Sequence, residues 1–274
     1  MNNAQLELAN TYNGNAVKIW DEGGSFEEAE ALYREALSIV TTLMEKAKTD
    51  KCIDTYGMVC HNLGNLLRET KRKGEARHFY EEAVRVYQEL AGESTENFHI
   101  YGERLAGSMS VMSSVLSWND EINNVEWFEK EALRIRRLLA DKEPERYEGN
   151  VARSCAYCAL VMDEMKNYEK AENLFREAIS IEEKLVKTDF DNHGGFLAAD
   201  CHNMANVLKA EGKLEEAVRL YLNASKIWQE LKARSPEKYT HIAVKDVSYE
   251  EAVKITREIE ETKNLKVENC INNN

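Results

Sequence analysis

Apolar residues return along this chain at offsets of 7, 10 and 14, five times over. The sets are Ala29/Ala36/Ile39/Leu43, Ala76/Ala83/Val86/Leu90, Val125/Ala132/Ile135/Leu139, Ala171/Ala178/Ile181/Leu185 and Ala217/Ala224/Ile227/Leu231. Only Val125 departs from an alanine start. Such offsets fall on one face of an α-helix. The first members step by 47 (76 − 29), 49 (125 − 76), 46 (171 − 125) and 46 (217 − 171). Self-similarity at such a period predicts stacked helical units, each burying its apolar face against its neighbours.

Each set reads as the second helix of a pair. Turns precede it at Gly23-Gly24-Ser25, Lys73-Gly74, Asn123-Asn124, Lys166-Asn167 and Gly212-Lys213, and another apolar-periodic stretch precedes each turn. The pattern predicts helices over 4–22, 26–48, 52–70, 74–91, 97–118, 122–140, 145–165, 168–187, 194–211 and 214–234. Short connections make consecutive helices antiparallel neighbours. Gly194-Gly195 reads as a loop before a first helix.

Two duplications support this register. Cys60-His61-Asn62-Leu63-Gly64-Asn65 returns as Cys201-His202-Asn203-Met204-Ala205-Asn206, displaced by 141 (202 − 61). Pro144-Glu145-Arg146-Tyr147 returns as Pro236-Glu237-Lys238-Tyr239, displaced by 92 (236 − 144), with proline at a helix N1 position. Five pairs therefore span 1–235. A truncated repeat or capping helix follows over 236–268, where Tyr249 to Ile255 resembles the start of a second helix. A frayed tail is expected over 269–274.

Composition narrows the partners. The net charge is −13, from 49 acids against 36 bases, which argues against nucleic acid or an anionic membrane. No run approaches the length of a membrane span, and Met1 to Trp20 has no secretory pattern. Six cysteines without disulfide-scaffold density fit reduced thiols in the cytoplasm.

In the second helices, an alanine followed four residues later by an aromatic (Ala29/Tyr33, Ala76/Tyr80, Ala171/Phe175, Ala217/Tyr221), with Gly64 or Ala205 in the first helix, resembles the tetratricopeptide repeat. The third unit breaks the element with Val125 and Glu129. A period near 46, in place of the family's 34, makes the chain most similar to long-helix repeats of the kinesin-light-chain type. His61-Asn62-Leu63-Gly64 and His202-Asn203-Met204-Ala205 approach the Asn-Asn-Leu-Ala of those repeats. The resemblance implies an all-α, right-handed solenoid whose first helices line a concave groove.

By that analogy the groove positions are Thr11, Gly14, Lys18 and Asp21; Met58, His61, Asn65 and Arg68; Gly107, Ser110, Ser114 and Ser117; Arg153, Ala156, Leu160 and Asp163; Ala199, His202, Asn206 and Lys209. The third line offers only glycine and serine, which predicts either a notch for a ligand side chain or a close approach of helices or a neighbouring subunit. The other candidates are His61, Asn62, Asn65 and Arg68, matched by His202, Asn203, Asn206 and Lys209. A carboxamide presents one acceptor and two donors, so asparagines suit a peptide backbone. Lys18, Arg68, Arg153 and Lys209 suit an acidic or C-terminal carboxylate group.

Catalytic chemistry finds little support. Cys155 and Cys158 form a lone pair at CxxC spacing, at offsets that face the partner helix. His61 and His202 have no nucleophile or orienting carboxylate assured by spacing. No phosphate loop or hydrolase motif is present in the sequence. The expectation is a cytoplasmic, non-enzymatic scaffold that captures a protein or peptide without cofactor or metal. Its rivals are a peptide-responsive regulatory receptor and a structural subunit that pairs with further copies of itself. The receptor reading is weakened because the repeats start within about ten residues of Met1, leaving no room for an N-terminal effector domain.

Overall fold

The computed structural model describes residues 2–92, 94–116, 121–239 and 247–272, with side chains described between residues 3 and 261 of those spans. Ser117 and the last two residues of the expected tail lie outside them. The described residues form twelve helices and no strand: α1 (Asn2–Asp21), α2 (Phe26–Lys46), α3 (Asp50–Glu69), α4 (Lys73–Gly92), α5 (Thr95–Ser113), α6 (Ile122–Ala140), α7 (Pro144–Glu164), α8 (Tyr168–Leu185), α9 (Phe190–Ala210), α10 (Leu214–Arg234), α11 (Pro236–Tyr239) and α12 (Val247–Asn272). The chain divides into two compact units, Met1–Glu143 and Pro144–Asn274.

In the first unit α1 packs on α2, α3 on α4 and α5 on α6; α2 then packs on α3, and α4 on α5. In the second, α7 packs on α8, α9 on α10, α8 on α9, and α10 on α12. Each unit is thus an all-α stack of helix pairs, the solenoid arrangement predicted. The marker alanines Ala29, Ala76, Ala171 and Ala217 are fully buried, and so are Tyr33, Tyr80, Phe175 and Tyr221 four residues on. Removing a ring of that size from water contributes about 2–3 kcal/mol. Gly64 allows the closest crossing: a Cβ there would stand 2.6 Å from the Tyr80 ring.

Four first helices, α1, α3, α7 and α9, end in one repeated turn. Gly23, Lys71, Lys166 and Gly212 take φ of 73°, 63°, 59° and 78°. The next residue then bonds back across the last turn: Gly24 to Ile19, Arg72 to Leu67, Asn167 to Met162 and Lys213 to Leu208, each at 2.8 Å. This left-handed closure satisfies carbonyls that a helix end would otherwise leave orphaned. Two expected turns are displaced. Gly74 lies inside α4, because Lys71 makes the bend, and Asn123-Asn124 lie inside α6.

Two further expectations change. Gly194 and Gly195 are helical, since Asp189 caps α9 by accepting from the Asn192 backbone N–H at 3.2 Å. Gly194 is buried, with Leu231 and Phe190 against it. Helix α12 takes the place of a first helix, not a second. Its Ser248 bonds His202 on α9 at 2.9 Å, 46 residues away, as Ser108 bonds His61 at 3.3 Å, 47 residues away. Ala252 and Ile255 of α12 are buried.

Candidate functional site

Within each unit polar side chains tie first helices together: α1 to α3 and α3 to α5 in the first, α9 to α12 in the second. In the first unit the Thr55 hydroxyl donates to Asn10 Oδ1 at 3.2 Å, Asn62 Nδ2 to Asn13 Oδ1 at 3.0 Å, and Arg68 to the Ser114 hydroxyl at 3.3 Å. In the second unit Lys209 donates to Glu251 at 2.6 Å beside the His202–Ser248 bond. These partners lie one repeat apart, so within each unit polar bonds link neighbouring first helices.

One constellation occurs twice, once in each unit. The Tyr80 phenol donates to Asn65 Oδ1 at 2.7 Å, and His61 meets the Tyr80 ring edge-on at 6.2 Å. The Tyr221 phenol donates to Asn206 Oδ1 at 2.5 Å, and His202 meets that ring at 5.3 Å. The asparagine lies fifteen residues before its tyrosine in both cases. Asn65 is half-buried and Asn206 is exposed. A carboxamide whose oxygen is engaged in this way still carries two N–H donors. Burial, with Arg68 nearby, pulls His61 down to about 4, and burial also lowers His202 against the opposing pull of Glu251. Both rings are therefore neutral at pH 7.

The expected notch in the third pair is floored by charge. Glu129 occupies the aromatic position and is buried, bonded by the Ser113 hydroxyl and by Ser110 at 3.4 Å. Burial raises its pKa, while Ser113 and Arg136 oppose the shift. Arg136, also buried, donates to Glu103 at 3.0 Å and to Ser110 at 3.3 Å. The small residues of α5 thus make room for polar groups rising from α6.

The remaining candidates stand apart. Lys18 is 3.8 Å from Glu22, and both are largely exposed. Arg153 bonds Asn150 and lies 5.5 Å over the Phe196 ring. Asn203 is half-buried on α9. The sequence reading overlooked a buried cluster in the second unit. His193 Nδ1 meets Glu182 Oε2 at 2.7 Å, while Glu182 Oε1 has no partner among the described residues. Asp200, also buried, is pushed up to about 8 by burial and by Glu182. The available signal was polarity at an apolar offset: Glu182 stands eleven after Ala171, where Val40 and Tyr87 stand in other pairs.

Cys52, Cys60, Cys155, Cys158 and Cys201 are buried thiols. Among the described residues no group of three or more His, Cys, Asp or Glu converges as a metal site, and no helix is long and apolar enough to cross a membrane.

Three segments, 58–99, 201–233 and 159–185, match family models described as tetratricopeptide repeat. The chain carries tetratricopeptide repeats in these segments. No curated protein matches the sequence. Among solved structures it is similar to BtubC (BKLC) from P. vanneervenii, with a TM-score of 0.65 and 18% identity over 85% of this chain and 92% of that one. It is similar to a Podosopora anserina putative kinesin light chain with nearly identical TPR-like repeats, at a TM-score of 0.53 and 16% identity over 83% and 95%. A Rap protein complexed with Competence and Sporulation Factor matches at 0.51 and 14% over 94% and 75%. At these identities the likeness is one of fold.

Proposed function

We propose that the chain is a scaffold that captures a protein or peptide segment along the inner face of its first helices. The observation that carries this reading is the twice-built constellation at Asn65 and Asn206, each held by a buried tyrosine beneath a neutral histidine. Tyrosine-held carboxamides with free N–H donors suit the carbonyls of an extended backbone. The Rap protein solved with Competence and Sporulation Factor shares the fold, which is consistent with this use of the surface. An acidic or C-terminal preference finds its best support in Arg153, which bonds Asn150, lies over Phe196 and acts on Glu182 through its charge alone. Lys18, Arg68 and Lys209 already have glutamates beside them.

The test must avoid a confounding fault. Replacing Asn65 or Asn206 alone orphans a buried phenol, which costs about 1–3 kcal/mol. The variant of choice pairs Asn65→Ala with Tyr80→Phe and Asn206→Ala with Tyr221→Phe, so that both partners of each bond go together. A partner pulled down by the native chain should be retained at least about tenfold less by this variant, a loss of 1.4 kcal/mol or more. Equal retention by a folded variant would remove the inner face from the function.

A further inference from the structure

The five aromatic or acidic plugs of the second helices have matched partners fifteen residues earlier, with one exception. Tyr80 has Asn65 and Tyr221 has Asn206, each an acceptor for the phenol. Phe175 has no hydroxyl, and Leu160 stands where the asparagine would be. Glu129 has Ser114, with Ser110 and Ser113 bonding its carboxylate. Tyr33 has Lys18. An ammonium is a donor without a lone pair to offer. Tyr33 is fully buried, and among the described residues its hydroxyl has no hydrogen-bond partner.

A second substitution opens the same place. Nineteen residues before their tyrosines, His61 and His202 lie edge-on to the rings. The matching residue before Tyr33 is Gly14, which is exposed and has no atom within 4 Å of where a Cβ would stand. The first pair therefore lacks both side chains that cover and satisfy the tyrosine elsewhere. By the same fifteen-residue spacing, Lys18 holds the place on α1 that Asn65 and Asn206 hold before their tyrosines. The Lys18 side chain is 71% exposed, with its ammonium 3.8 Å from Glu22.

We propose that the inner face of α1 carries a subsite for an amide oxygen of the bound segment, taken up by the Tyr33 hydroxyl once the Lys18 side chain swings aside, with the slot over Gly14 receiving the rest of that group. The ligand supplies from outside the carboxamide that Asn65 and Asn206 supply from within. A neutral amide suits the place better than a carboxylate, because Asp21 and Glu22 outnumber Lys18 there. This inference rests on the capture reading above and names one contact within it.

The experiment uses the full chain labelled with ¹⁵N and two probes: N-acetyl-Gly-Gln-Gly-amide, and the same peptide with norvaline for glutamine. The Gly14 amide signal should shift saturably with the glutamine probe. The norvaline probe should bind about fivefold more weakly, the worth of one such hydrogen bond. Equal response to both probes also supports the subsite and makes a main-chain amide the source of the oxygen. Lys18→Asn should abolish the shift by installing an internal acceptor, and Tyr33→Phe should abolish it by removing the donor.

A shift at Gly14 that survives both variants overturns the proposal. So does a response at the α3 or α9 face with none at Gly14, which leaves the capture reading standing. No response at any inner face counts against both. A ligand-free check is independent of the probes. Lys18→Asn should raise Tm by about 2–5 °C, and should fail to do so once Tyr33→Phe is in place. An equal rise in both backgrounds would mean that the phenol was never in need of a partner.

Discussion

The pairs α3/α4 and α5/α6 share a backbone plan but close their crossings with opposite chemistry. At α3/α4 an aromatic ring lies against Gly64, and its phenol is satisfied by Asn65. At α5/α6 a carboxylate stands in the ring's place, held by Ser113 and Ser110. The first helix follows what the second inserts: glycine and asparagine over a tyrosine, small hydroxyls over a glutamate. The row of serines on α5 thus reads most simply as the complement of Glu129. A ring gains from burial outright, whereas a buried carboxylate loses hydration that its bonds only partly offset.

That contrast can be broken most sharply at Tyr80. Tyr80→Ala should cost about 3–5 kcal/mol in denaturant unfolding, while Glu129→Ala should cost under ~2 kcal/mol in the same assay. Equal losses would mean that the two crossings are energetically alike. The second unit offers the pH form of the comparison. Unfolded Asp200 sheds its proton near pH ~4, and the folded residue keeps it to about 8. The folded state therefore holds an extra proton across that window, and stability falls as pH rises through it and levels off above. Asp200→Asn should remove the slope and leave the variant more stable by on the order of 5 kcal/mol at pH ~8, with the gap closing toward pH ~4. A constant gap across pH would rule this account out.

Gly64→Ala should cost about 1–2 kcal/mol, because the added methyl forces the Tyr80 ring to shift. Ala205, at the matching place beside Tyr221, marks a crossing that has already made that adjustment. A neutral Gly64→Ala variant would show the α3/α4 crossing to be equally yielding. The smallest effect belongs to the turns. Lys71→Gly should stabilise by up to ~1 kcal/mol, since a left-handed lysine is strained where glycine is not. Loss of stability there would point to a role for the lysine side chain that outweighs the strain.

The helices and their pairing were legible because the marker alanines and aromatics repeat at helical spacing and are buried where that spacing puts them. Turn chemistry was less so. Lys71 bends the chain, and Gly74, the turn residue the sequence suggests, is helical three positions later. Gly194-Gly195 misled for the same reason: the cap at Asp189 and the packing of Leu231 and Phe190 override the low helix propensity of glycine. At the candidate site, residue types were readable and their engagement was not. Asn65 and Tyr80 share one helix pair, and their fifteen-residue spacing recurs. The bonds of His61 to Ser108 and His202 to Ser248 depend instead on how one pair stacks on the next. The duplicated register hinted at such contacts without specifying them.

The buried thiols have a kinetic consequence. Cys60 and Cys201 hold matching places in the two units, both fully buried and both pushed up to about 12 by burial. A thiol so covered reacts only when its surroundings open. The rates at which a soluble disulfide reagent labels these two positions therefore time the opening of α3 and of α9 separately. The chain carries its own pair of clocks, one in each unit.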